Sequence, residues 1–98
     1  MIEVVSSDEF EKWLRKLSDY QAKTRIVARL VRLSEGNPGD VKPVGGGISE
    51  MRIHYGPGYR IYYTEIHGQM VVLLVGGDKT TQQEDIADAK RIALRWSL

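Results

Sequence analysis

Apolar residues recur along this chain with two different periods. Phe10, Trp13, Leu14 and Leu17 fall at i, i+3, i+4 and i+7, the spacing of one face of an α-helix. Residues 2–5, IEVV, predict a short strand ahead of it, and Ser6 followed three positions later by Glu9 matches a capping box. Ser18 and Asp19 break the pattern. A second helix is expected from Tyr20 to Ser34, burying Ala22, Ile26, Val27, Leu30 and Leu33. Glu35-Gly36-Asn37-Pro38-Gly39 ends it with residues that do not readily continue a helix.

The second half changes to period two. In Ile48 to Tyr55, Met51, Ile53 and Tyr55 share one face and Glu50, Arg52 and His54 the other. Gly56-Pro57-Gly58 turns the chain. From Tyr59 to Ile66, Ile61 and Tyr63 lie on one face and Arg60, Tyr62 and Thr64 on the opposite one. His67-Gly68-Gln69 makes a second turn, and the unbroken apolar run Met70 to Val75 suits a strand covered on both sides. Strands joined this closely predict an antiparallel meander. Thr81 with Glu84 again resembles a capping box, and Ile86, Ala89, Ala93 and Trp96 stripe a last helix. The pattern therefore predicts one α+β domain over residues 1–98, ordered β-α-α-β-β-β-α, with the two N-terminal helices packed on one face of the meander.

If Met51, Ile53, Ile61 and Tyr63 pack on those helices, then Glu50, Arg52, His54, Arg60 and Tyr62 form a polar patch on the other side. Arg52 and Arg60 are expected to approach each other across the hairpin. Like charges on neighbouring strands cost stability, which points to an anion as the reason for keeping them.

Charge adds a second feature. The net charge is only +1, but residues 1–11 hold four acids and no base, and residues 12–32 hold seven bases against Asp19 alone. Arg25, Arg29 and Arg32 fall on one outer stripe of the second helix, either a solvated face or a landing site for an acidic partner. Composition excludes other classes. With no cysteine there is no disulfide, thiolate zinc site or cysteine nucleophile. His54 and His67 alone make a poor zinc signature, so neither metal nor cofactor is expected. No apolar run reaches the roughly 18 residues of a membrane span, and the first residues do not read as a signal peptide. A cytoplasmic location without membrane contact is expected. Gly77-Asp78-Lys79-Thr80 lacks the earlier glycine of a phosphate-binding loop.

Two segments carry a family resemblance. GDVKPVGGGISEMRI continuing to YGPGYRIYY (Gly39 to Ile53, Tyr55 to Tyr63), and LLVGGDKTTQ (Leu73 to Gln82) with Asp85, Ile86 and Ala89, are similar to the addiction-module killer proteins. These are phage-related members of the RelE/ParE/HigB toxin superfamily, associated with plasmid stabilisation. The resemblance spans almost the whole chain and implies the same order of elements. It also implies a bacterial toxin neutralised by a cognate antitoxin, expected here to be a small helix-turn-helix DNA-binding protein. Many such toxins are mRNA interferases, endoribonucleases that cleave mRNA, often on the ribosome.

Metal-free RNA cleavage needs the 2′-hydroxyl to attack the neighbouring phosphate while the 5′-oxygen leaves, helped by a base, an acid and cations. In the superfamily the arginine of a Tyr-Arg pair lies in the catalytic cleft, which implies Arg60 as the phosphate-stabilising residue, with Arg52 beside it. His54, whose imidazole can take up or release a proton, is the candidate acid or base. Lys42 and Lys79 are candidates for holding the RNA backbone and Tyr62 for stacking on a base. Arg25, Arg29 and Arg32 are the candidate antitoxin contacts. Against the nuclease reading, Thr80 to Leu98 contains no Tyr or His, where several RelE-like nucleases carry an acid or base. The alternative the resemblance leaves open is a non-catalytic, ParE-like inhibitor of DNA gyrase.

Overall fold

The apolar run beginning at Met70 becomes the strand around which the rest is arranged. The structure, a computed structural model, describes residues 1–96. Its elements are β1 (Glu3–Ser6), α1 (Asp8–Lys16), α2 (Tyr20–Ser34), β2 (Val41–Pro43), β3 (Ile48–Ile53), β4 (Tyr59–Ile66), β5 (Met70–Gly77) and α3 (Gln82–Ala93). Single 3-10 turns at Lys79–Thr81 and Leu94–Trp96 flank α3. The strands form one sheet in the order β1-β5-β4-β3-β2.

The expected β3-β4-β5 meander is present, all antiparallel. Two additions extend it. β1 pairs parallel with β5, from Glu3 opposite Met70 to Ser6 opposite Leu73, and the three-residue β2 adds an antiparallel edge to β3. The sheet therefore separates two cores. On one face Phe10, Ala22, Ile26 and Leu33 of α1 and α2 bury Met51, Ile53, Ile61 and Tyr63. On the other, Ala89 and Ile92 of α3 cover Ile48, Tyr62, Val72 and Leu74. A bulge where β4 passes from Tyr62 to Tyr63 resets the register, so Tyr62 faces Val75 while Tyr63 faces Leu73.

Local chemistry explains where the helices start. Ser6 is used as the last residue of β1, so the cap of α1 falls one residue later than its capping box predicts. Ser7 Oγ accepts from the Phe10 amide at 3.0 Å and donates to the Leu74 carbonyl at 2.6 Å. Asp19 caps α2, accepting from the Ala22 amide at 3.1 Å. Thr81, expected to cap α3, makes no such bond; its hydroxyl donates to Asp85 Oδ2 at 2.6 Å instead. In α2, Ala22, Ile26 and Leu33 are buried as expected, but Val27 is 49% exposed, because it lies on the side of the helix away from the sheet.

Candidate functional site

The polar face predicted for the hairpin exists, but α3 divides it. Glu50 and Tyr62, opposite each other on β3 and β4, are fully buried beneath the start of α3. Tyr62 Oη donates to Glu50 Oε2 at 2.9 Å, and Gln82 Nε2 donates to the same oxygen at 2.7 Å. Burial, reinforced by the Glu50 carboxylate, pushes the Tyr62 phenol well above its ordinary range, so it remains a neutral donor. Tyr62 has no exposed ring for a base, which corrects the expectation that it stacks on RNA.

One step along the strands the face opens. Arg52 and Arg60 stand directly opposite each other, as expected. Arg60 Nη1 donates to the Gly58 carbonyl at 2.7 Å, which folds its guanidinium back over the β3-β4 turn. Arg52 Nη2 donates to Asp40 Oδ1 at 2.9 Å. Among the described residues, the enclosed side-chain nitrogens without an acceptor are the Nε of Arg52 and the Nε of Arg60. Two arginines on facing strand positions, each with an unused Nε donor, concentrate positive charge at one end of the hairpin.

Their neighbours refine the picture. His54, exposed just beyond β3, meets Asp40 Oδ2 through Nε2 at 2.5 Å. Asp40 thus holds His54 with one oxygen and Arg52 with the other. The His54 bond, followed by that from Arg52, keeps its carboxyl below the usual range. Lys79 begins the 3-10 turn after β5, and a Cβ at Gly58 would stand 3.6 Å from Lys79 Cβ, so the lysine lies beside the loop that anchors Arg60. Lys42 lies opposite Glu50 on the exposed edge strand β2, toward the other end of the face. The structure therefore gathers Arg52, His54, Arg60 and Lys79 around the β3-β4 turn and places Lys42 apart from them. Among the described residues no group of three His, Asp or Glu side chains is arranged to hold a metal.

The comparisons with known proteins bear on this arrangement. The family model for phage-derived Gp49-like proteins matches residues 12–97. An uncharacterized protein of Haemophilus influenzae is 48% identical over 97 residues, which is 99% of this chain and 98% of that one. The chain belongs to the Gp49-like family. Among solved structures, Escherichia coli toxin RelE, in a free form with two arginines replaced by alanine, superposes with a TM-score of 0.75 at 22% identity. That match covers 93% of this chain and 97% of RelE. The intact E. coli RelBE toxin–antitoxin complex matches at a TM-score of 0.66 and 20% identity, over 80% of this chain and 96% of the matched one. This Gp49-like protein has the RelE fold.

Against that fold, two sequence expectations need correction and three residues come into view. Arg29 does not belong to an outward stripe. Its Nη1 donates to the Arg52 carbonyl at 2.7 Å, and its Nη2 to the carbonyls of Pro38 at 3.1 Å and Asp40 at 3.4 Å. It ties α2 to the strand and loop that carry the site, leaving Arg25 and Arg32 exposed. Glu50, expected on an open polar patch, is instead the buried centre of a hydrogen-bonded group. Asp40 is the carboxylate that the sequence pattern did not reveal; it follows Gly39 directly and precedes β2, whose one charged residue is Lys42. Gln82 and Asp85 give no signal either, because both act through how α3 lies on the sheet. Burial raises the Asp85 carboxyl above its usual range, opposed by the Thr81 hydroxyl.

Proposed function

We propose that this Gp49-like protein is the toxin of a type II toxin–antitoxin pair and arrests translation as a metal-independent endoribonuclease on mRNA, acting at the ribosome. Its cognate antitoxin is a small helix-turn-helix DNA-binding protein, and the pair works in the cytoplasm. Supporting this are membership of a phage-derived family and a fold shared with RelE, a toxin solved both free and with its antitoxin. The observation that carries the chemistry is the facing pair Arg52 and Arg60, each with an enclosed Nε and no acceptor.

In this reading the guanidinium of Arg60 takes the non-bridging oxygens of the scissile phosphate, and Arg52 supports the charge that builds as phosphorus becomes five-coordinate. The 2′-oxygen attacks phosphorus as its proton leaves to a base, and the bond to the 5′-oxygen breaks as that oxygen takes up a proton. A 2′,3′-cyclic phosphate and a 5′-hydroxyl result. His54 carries one of these protons, with Nε2 steadied by Asp40. An incoming phosphate competes with Asp40 for Arg52. Lys79 and Lys42, both exposed, contact flanking phosphates without sequence preference.

The test is to induce the protein briefly in bacteria and map RNA 5′ ends across the transcriptome. New ends inside coding regions are expected with the native chain and not with Arg60→Ala. Growth arrest with an unchanged set of RNA ends contradicts the nuclease reading.

A further inference from the structure

The outer face of α2 carries an apolar seam that the described residues leave exposed. Tyr20 is 80% exposed, Val27 49% and Val31 52%, three of the five large apolar side chains most exposed among the described residues. Together with exposed Thr24, they fall at positions 20, 24, 27 and 31, a four-three-four spacing that matches the seam of a coiled coil. The opposite face of the same helix supplies Ala22, Ile26 and Leu33 to the core, so the seam is surplus to folding. Exposed apolar residues are ordinary when scattered, but here they run in register along one helix.

The flanks of the seam decide what fits. Arg25 and Arg32 border it on one side, both exposed. Arg25 is steadied by its guanidinium lying 4.6 Å above the Tyr55 ring, which keeps the charge beside the seam. On the other side Lys23 and Arg15 border a shallow groove completed by Glu11, Leu14 and Val27. Lys23 Nζ donates to the Arg15 carbonyl at 3.2 Å, joining α1 to α2 along this edge. The acid nearest the helix start, Asp19, is already engaged by the Ala22 amide and the Tyr55 hydroxyl. An apolar seam with bases along both margins selects a helix with an apolar stripe and acidic flanks. A second copy of this chain would set these bases against their own kind, which disfavours self-pairing.

The geometry points to α2 as the docking seat for an amphipathic, acid-flanked helix of a partner protein; naming the antitoxin as that partner rests on the proposed function. Tyr20, Val27 and Val31 fill its apolar stripe, and Arg15, Lys23, Arg25 and Arg32 pair with its acids. Arg29 takes no part, since its guanidinium is committed to backbone carbonyls. The seat is separate from the arginine cluster, so occupying it does not by itself block RNA.

The seat is tested on the full chain with a synthetic helix of about three heptads, leucine along its seam and glutamate at the flanking positions. A twin peptide carries lysine at those flanks. Anisotropy titrations are expected to show binding of the glutamate peptide alone, weakened about tenfold or more by Val27→Asp and by the pair Lys23→Glu, Arg25→Glu. Circular dichroism and melting curves confirm that each variant is folded. Equal binding of the two peptides, no binding of either, or binding untouched by folded variants overturns the seat. Sedimentation of the chain alone gives a further arm: a dimer that Val27→Asp dissociates assigns the seam to a second copy and overturns the proposal. Growth arrest plays no part in these readouts. A harmless protein that still binds the glutamate peptide removes the toxin reading and leaves the seat standing.

Discussion

Arg52 is kept in place by neighbours whose own roles are structural. Its carbonyl accepts from Arg29 and its side chain donates to Asp40, while the Asp40 carbonyl accepts from the Arg52 amide at 3.0 Å. Gly39 serves this knot twice. Its φ of +73° suits glycine, and a Cβ there would stand 2.9 Å from Arg29 Nη2. Asp40 makes the arrangement sensitive to acid. Its folded pKa lies below the unfolded one, so the stability it contributes is fully present above the unfolded value of about 4 and is lost as pH falls through the lower folded value. The melting temperature of the native chain is therefore expected to exceed that of Asp40→Asn near pH 6, and the two to converge as pH falls through and below the folded value. A difference that persists undiminished at low pH shows that the carboxylate charge is not what secures the loop. Period two put Arg52, His54 and Arg60 on one face correctly. It carried no information on Asp40, which sits in the loop before β2 and meets Arg52 and His54 only after that loop folds back.

At the level of elements, β5 shows why two adjacent glycines are needed where an apolar run ends. The bulge resets the phase, so Gly76 faces α1 and Gly77 faces α3. A Cβ on Gly76 would overlap the ring of Trp13, and one on Gly77 would overlap the Asp85 carboxylate. Trp13 is in turn fixed between Phe10, with ring centroids 5.8 Å apart, and Tyr59, at 6.2 Å. Gly76→Ala is expected to lower stability by about 1–3 kcal/mol through this overlap, measured as a fall in the denaturant midpoint at unchanged m-value. An unchanged midpoint means that α1 shifts freely and does not fix the end of β5. The sequence showed α2 to the residue, because Asp19 caps one end and Gly36 to Gly39 close the other. It did not show β2, whose three residues include a proline on an edge and have no room to display a period. Nor did it show that α3 covers Glu50 and Tyr62. Alternation tells which residues share a face, not which element lies on it.

For the whole molecule, the parallel pairing of β1 with β5 was the least legible feature, since it joins residues about 67 positions apart through hydrogen bonds that leave no local pattern. That pairing makes β1 one edge of the sheet, while β2, added to β3, forms the other. The basic segment also divides at this scale. Arg15 and Lys16 end α1, where they complement the helix dipole, Arg29 braces the site, and Lys23, Arg25 and Arg32, with Arg15, border the apolar seam of α2. In the proposed function the Arg52–Arg60 face is what stops protein synthesis. The most direct measurement follows labelled amino-acid and thymidine incorporation in the same bacterial culture after induction, for the native chain and for a folded, equally expressed Arg60→Ala variant. Amino-acid incorporation is expected to fall first with the native chain, and neither label to fall with the variant. Thymidine incorporation falling first, with gyrase-linked DNA breaks, or full translation arrest by Arg60→Ala would contradict it.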